Sequence, residues 1–363
     1  MAKKYLKKSG LLLVILSIAI SFTFALPSLV QAAKYTMVIA HHYPVDMTNN
    51  EVHPALHRFK TRVETETKGG IEVRIFGGMV LGTEIEYTKK AQLGKTVQSA
   101  VLSSGAFSSF FPKYQVITTP FLFPDYNTAW AFFNSEWYAN FMHEMRRKTG
   151  LRWIGMFDDG GGFVAFTNDK RLIKTPEDMK GLLIRVEENP AHIAVIEALG
   201  AKAVPLEWGQ VPTALMTNVA DGQFNAPGLN AAMKFWESCE YTSWTGHIYN
   251  TLNWVVNDEW FKSLPEDYQS VILRAAREAV MYGHGLSDHL TNLGWQKCVE
   301  EFKAAYIPTA EEKEAFKKIM QPAFYEWATE EFGLKPEFIH EVWNKVDEIN
   351  KELGEEYWNK WGK

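Results

Sequence analysis

The sequence has little cysteine, no cluster of basic charge, no internal repeat and no low-complexity tract. Only Cys239 and Cys298 occur, and neither belongs to a C-x-x-C pair, so the spacing argues against a thiolate metal site or a thioredoxin-like redox pair. An oxidising compartment would permit a disulfide between them, and the sequence leaves them either paired or free. The 38 basic residues are outnumbered by 43 acidic ones, a net charge of −5, with no basic stripe to release counterions from a phosphate backbone. No nucleic-acid partner is expected.

The usual catalytic signatures are missing as well. Gly160, Gly161 and Gly162 are followed by no Lys-Ser or Lys-Thr, and the G-x-G-x-x-G and G-x-S-x-G patterns are absent. These glycines suit a hinge or a loop of close backbone approach instead. Asp158 and Asp159 are neighbours in a strand and so face opposite ways, which argues against a shared-proton dyad. His53 and His57 stand one helical turn apart, just after His41 and His42, but no third ligand follows at a metal-site spacing. No metal, cofactor or enzymatic activity is expected.

What is present begins with Lys3, Lys4, Lys7 and Lys8, an apolar run over residues 11–26, and Val30-Gln31-Ala32. That order fits an export leader cleaved after Ala32. The run falls short of the roughly 20 residues a bilayer span requires, and no cysteine stands at the cleavage point to take a lipid. A chain not spanning the membrane, released into the periplasm, is the expectation. Loss of four lysines and no acids would leave a mature net charge of −9. About 330 remaining residues exceed one ordinary core, so two domains are expected. The 23 Phe, 14 Tyr and 13 Trp suit dense cores and an aromatic-lined pocket.

Strand and helix patterns alternate along the chain: strands over 35–40, 71–76 and 97–102, helices over 53–67 and 83–94. The grammar recurs with strands over 151–157, 163–167 and 182–186, then a helix over 190–199 stopped by Gly200. From Pro265 the character changes to long amphipathic helices, the first with Ser263 as candidate cap and the next with a Thr309/Glu312 capping box. This reads as α/β, with mostly parallel sheets in two lobes and a ligand held between them.

Three ordered segments carry a resemblance: KTPEDMKGLLIRV from Lys174, ALGAKAVPLEW from Ala198, and VPTALMTNVADGQFNAP from Val211. Together they resemble the DctP family, the solute-binding subunits of tripartite ATP-independent periplasmic (TRAP) transporters. The resemblance implies a two-lobed fold of the type II periplasmic-binding-protein kind, with a long bridging helix and C-terminal helices. On that pattern lobe I takes 33–160 and about 252–285, lobe II takes 161–251 and about 295–340, the bridging helix runs over about 265–303, and a helical tail fills 335–363. It further implies a small organic anion as ligand and integral membrane permease subunits as partners. A sensory receptor, or an enzyme on the same scaffold, are the alternatives.

The family's carboxylate-gripping arginine falls on Arg185, whose planar guanidinium offers paired donors at any relevant pH. A structural ion pair with Glu187 or Glu188 is the competing explanation for that charge. The pocket asparagine falls on Asn225 and the ligand-packing aromatic on Trp208. Asn189 and Phe224 occupy pocket positions of the pattern, and Glu84 and Phe107, with His42, are candidates from the first lobe. Sugar-acid-binding relatives carry a second arginine where this chain has Ala165, so a monocarboxylate with an apolar or hydroxylated body is expected.

Overall fold

Two sheets organise the chain, and the path between them explains the rest of the architecture. The computed structural model describes residues 33–362; the expected leader lies outside the described residues. Strands β1 (Tyr35–Ala40), β2 (Ile71–Phe76), β3 (Ser99–Ser103) and β4 (Leu151–Phe163) are followed by β5 (Ala165–Asn168), β6 (Leu183–Val186), β7 (Lys202–Pro205), β8 (Gly222–Asn225), β9 (Tyr241–Ser243), β10 (Tyr249–Asn257) and β11 (Ala304–Tyr306). The first sheet has the order β2-β1-β3-β10-β4 and the second β11-β9-β5-β8-β6-β7. The chain therefore passes from the first lobe to the second between β4 and β5, and returns between β9 and β10.

The sheets are mostly parallel, as the sequence pattern suggests, but each carries one antiparallel strand. β1 pairs in parallel with β2 and β3, but β10 runs antiparallel to both β3 and β4. β5 likewise runs antiparallel to β8 and β9. The physical reason is the double crossing: each strand that carries the chain into a lobe enters against the direction of the strands built within it. Periodicity inside a strand carries no such information.

A single helix, Glu266–Glu301, extends through 36 residues, about 54 Å at 1.5 Å per residue. It packs on β4 and on helix Val52–Glu66 in the first lobe, and on helix Pro227–Ala232 in the second. Ser263 does not cap it. Asn257 caps a separate short helix, Asp258–Ser263, and Ser263 Oγ donates to the Trp260 carbonyl, so the long helix starts from Pro265. The Thr309/Glu312 capping box opens helix Ala310–Glu326, which packs on helix Pro190–Ala198. The last helix, Pro336–Trp361, returns to the first lobe against helix Tyr126–Phe133. Cys239 and Cys298 are free thiols in one small core with Val211, Phe235 and Phe302. Burial pushes both up to about 12, so they remain protonated.

The three glycines sit at the end of β4, where it leaves the first sheet. All have positive φ, and at Gly161 (φ 117°) an added Cβ would lie 2.0 Å from Thr291 Oγ1 of the bridging helix. Only glycine tolerates both that conformation and that approach. Gly161→Ala is expected to cost about 2–4 kcal/mol from strain and overpacking, read as a lowered urea midpoint. Adding Thr291→Ala should recover the contact part and leave the backbone part.

In the same lobe His41 is buried with Nε2 3.0 Å from His53 Nδ1. Burial first, then the neighbouring His53, His42 and His57, hold its pKa down at about 3. Because the unfolded ring titrates near the ordinary value, stability should fall progressively as pH drops from about 6.5 toward 3. Ring nitrogen chemical shifts should show His41 still neutral at pH 5; titration near 6.5 would mean that this core is open.

Candidate ligand-binding cleft

Strand ends converge on one cavity between the sheets. His42 follows β1, Ser103 closes β3 and Gly105 lies in the helix Ser104–Phe110 after it, Arg185 and Glu187 lie at the end of β6, Leu206 and Trp208 follow β7, and Asn225 ends β8. This is the crevice outside the carboxyl ends of strands, where open α/β folds place ligands. Space for the centre of a water molecule amounts to about 80 Å³.

Arg185 is the cation of this cavity, 4% exposed. Its Nε and Nη2 donate to the Leu206 carbonyl at 3.0 and 2.7 Å, and the guanidinium lies 5.9 Å from the Trp208 ring centroid. Those two bonds and the aromatic face fix the fork and leave its other donors to the cleft. Among the described residues no carboxylate lies within 4.0 Å of it as an ion-pair partner. Burial lowers its pKa, opposed by Glu187, Glu84, Asp159 and Glu188.

The first lobe supplies the facing wall. Thr83 caps helix Glu84–Leu93 and so sets Glu84 at its first turn. The Glu84 carboxylate accepts from Ser103 N at 2.6 Å and Ser103 Oγ at 3.1 Å, and lies 3.1 Å from His42 Nδ1. Burial works against ionisation of both members, but the charge and hydrogen bond between them win: Glu84 is lowered and His42 raised. Asp159 accepts from the Tyr43 hydroxyl at 2.8 Å, and burial raises its pKa against the pull of His42. Its neighbour Asp158 faces away, accepting from Trp130 Nε1 at 3.0 Å and from the Tyr249 hydroxyl, with His284 Nδ1 at 2.6 Å.

Asn225 is held by a polar network. Its Nδ2 donates to Gln223 Oε1, Gln223 Nε2 donates to Thr167 Oγ1 and Asn230 Oδ1, and Asn230 Nδ2 donates to the Asn225 carbonyl. Among the described residues its amide oxygen has no protein partner.

Arg185, Asn225, Trp208 and Glu84, with His42, are thus brought together, and three other expected residues are not. Asn189 is fully buried as the cap of helix Pro190–Ala198, its Oδ1 accepting from Ala191 N. Phe224 adjoins Asn225 in β8 and therefore points to the opposite face, packing on Phe166, His192 and His247. Phe107 is fully buried against Tyr114 behind the wall. None of the three lines the cavity. Residues that sequence reasoning did not place there are Asp159 and Glu207, while Glu187 and Glu188 were considered only as ion-pair partners of Arg185 and not as cavity residues. For Glu187 a signal existed, since it stands two residues from Arg185 along a strand direction and so shares its side.

The profile of the DctP family, bacterial extracellular solute-binding protein family 7, matches residues 44–331. The chain is 28% identical over 240 residues to the 2,3-diketo-L-gulonate-binding periplasmic protein YiaO of Escherichia coli, covering 66% of this chain and 72% of that one. A TRAP periplasmic solute-binding protein of Sulfurospirillum deleyianum with bound succinate superposes with a TM-score of 0.75 at 25% identity, covering 85% of this chain and 98% of that one. A second, from Polaromonas, bound to D-erythronate, gives 0.77 at 25% identity with the same coverage. These proteins bind solutes for transport and are not enzymes. With the fold, the bridging helix and the cleft in place, the chain belongs to the DctP family of TRAP transporter solute-binding proteins.

Proposed function

We propose that this protein captures a small monocarboxylate with an apolar or hydroxylated body in the periplasm and delivers it to a TRAP permease in the membrane. The observation that carries the reading is Arg185: a buried guanidinium with two donors tied to a carbonyl, an indole centred 5.9 Å away, and no ion-pair partner within 4.0 Å among the described residues. A buried charge left without a counterion is costly, and a ligand carboxylate meets that need with paired, charge-assisted hydrogen bonds.

The other groups have roles consistent with this. Asn225 offers an amide oxygen to a ligand hydroxyl, and Trp208 supplies an apolar wall that also braces the guanidinium. The limited space between the lobes favours a compact acid. Relatives with bound succinate and D-erythronate support the carboxylate class. Closure of the lobes is driven only by the ligand's greater affinity for the closed form, and the closed surface is what the permease recognises. Uptake then draws on an ion gradient. No helix among the described residues is long and apolar enough to cross a membrane, in keeping with a partner that supplies the membrane path.

The test is a thermal-shift screen of the mature chain against small carboxylates, sugar acids and sulfonates, followed by calorimetry on the best ligand. A ligand at about a thousand times its Kd should stabilise by roughly 4 kcal/mol. Arg185→Ala is expected to weaken that ligand at least about 100-fold, or about 2.8 kcal/mol. An equal shift in wild type and variant would make Arg185 structural and remove the anchor.

A further inference from the structure

Glu187 is mostly buried, lines the cavity beside Arg185, and has a carboxyl oxygen, Oε2, with no hydrogen-bond partner among the described residues. Its nearest base, His192 Nδ1, is 3.7 Å away, outside hydrogen-bond range, and burial keeps that ring neutral at any ordinary pH. Opposite it stands Gly105 of the first lobe, where an added Cβ would lie 2.5 Å from Oε2. The carboxyl group therefore lies at the seam between the lobes, packed closely against Gly105. Glu84 and Asp159 add acidic groups to the same cavity, against the two bases Arg185 and His42.

We infer that Glu187 sets which carboxylates the cleft accepts: it rejects a second carboxylate and selects a ligand whose far end carries a hydrogen-bond donor, a hydroxyl or an ammonium group. The inference rests on the reading of Arg185 as the carboxylate anchor. A desolvated acceptor without a donor is costly, and a ligand donor that reaches it removes that cost and adds a charge-assisted bond. Burial holds the Glu187 carboxyl up at about 7 against the pull of Arg185, so above that pH, where the titrations belong, a distal carboxylate in the same place brings like charges together with no donor between them. The selection thus combines an attractive element for one ligand end with a repulsive one against another. It explains how a cleft rich in acids still takes an anion: the negative end goes to Arg185 and the donor end to Glu187.

Three four-carbon acids of matched length isolate the far end: 4-hydroxybutanoate, 4-aminobutanoate and succinate. Calorimetric titration of the wild type with each is expected to rank the hydroxyl or ammonium acid at least about tenfold above succinate, the discrimination typical of one charged hydrogen bond. Which of those two binds tighter identifies the donor. Glu187→Gln, which keeps the shape and removes the charge, should bring succinate to within a few-fold of the others. Succinate bound as tightly as the donor acids by wild type, or a ranking unchanged in Glu187→Gln, overturns the inference while leaving the anchor intact. Arg185→Ala separates the two: retained binding of all three acids there defeats the anchor, and the inference with it. Wild type that binds none of them at millimolar concentration overturns it too.

Discussion

A buried guanidinium between two lobes is the constraint on which this structure turns. Arg185 sits in a strand whose other residues, Leu183, Ile184 and Val186, belong to an apolar sheet, and a charge there is tolerable only with donors satisfied and a counterion within reach. The Leu206 carbonyl takes two of its donors and Trp208 covers its face. What remains of its charge is directed to the space between sheets, where carboxyl groups of both lobes gather but none closes an ion pair with it. The cleft is thus electrostatically unfinished.

The two lobes are joined directly behind this cleft. β4 does this with back-to-back acids. Asp159 faces the cavity and Tyr43, while Asp158 ties together Trp130 of the first lobe, Tyr249 of the returning strand and His284 of the bridging helix. The glycines that follow let β4 lie directly against the bridging helix and against Leu229. Lobe crossing, long helix and cleft wall therefore meet within five consecutive residues, 158–162.

Much of the second lobe was legible in the sequence because its information is local. A strand, a turn and a helix start are each written in a few residues, and the segments from Lys174 to Pro227 keep Arg185, Trp208 and Asn225 at positions where strands end. The misplaced residues failed for reasons that are also physical. Asn189 is a helix cap, a use that competes with ligand binding for the same side chain. Phe224 obeys the two-residue alternation of its strand, so its neighbour's role excludes it from the pocket. Phe107 belongs to the same short helix, Ser104–Phe110, as the wall residues Gly105 and Ala106, but its side chain is buried against Tyr114 on the side away from the cavity.

The sequence by itself determined the alternation of strands and helices, the long helix after Pro265, the capping box at Thr309, and a lone arginine in an apolar strand that calls for an anion. Only the tertiary structure decided which strand of each sheet runs antiparallel, the free state of Cys239 and Cys298, and the acidic company that Arg185 keeps. Those depend on which distant segments meet. Glu84, Asp159 and Glu187 are far apart in the chain and come together only when β4 crosses between lobes and folds them against one cavity. No pattern along a single segment records an encounter of that kind.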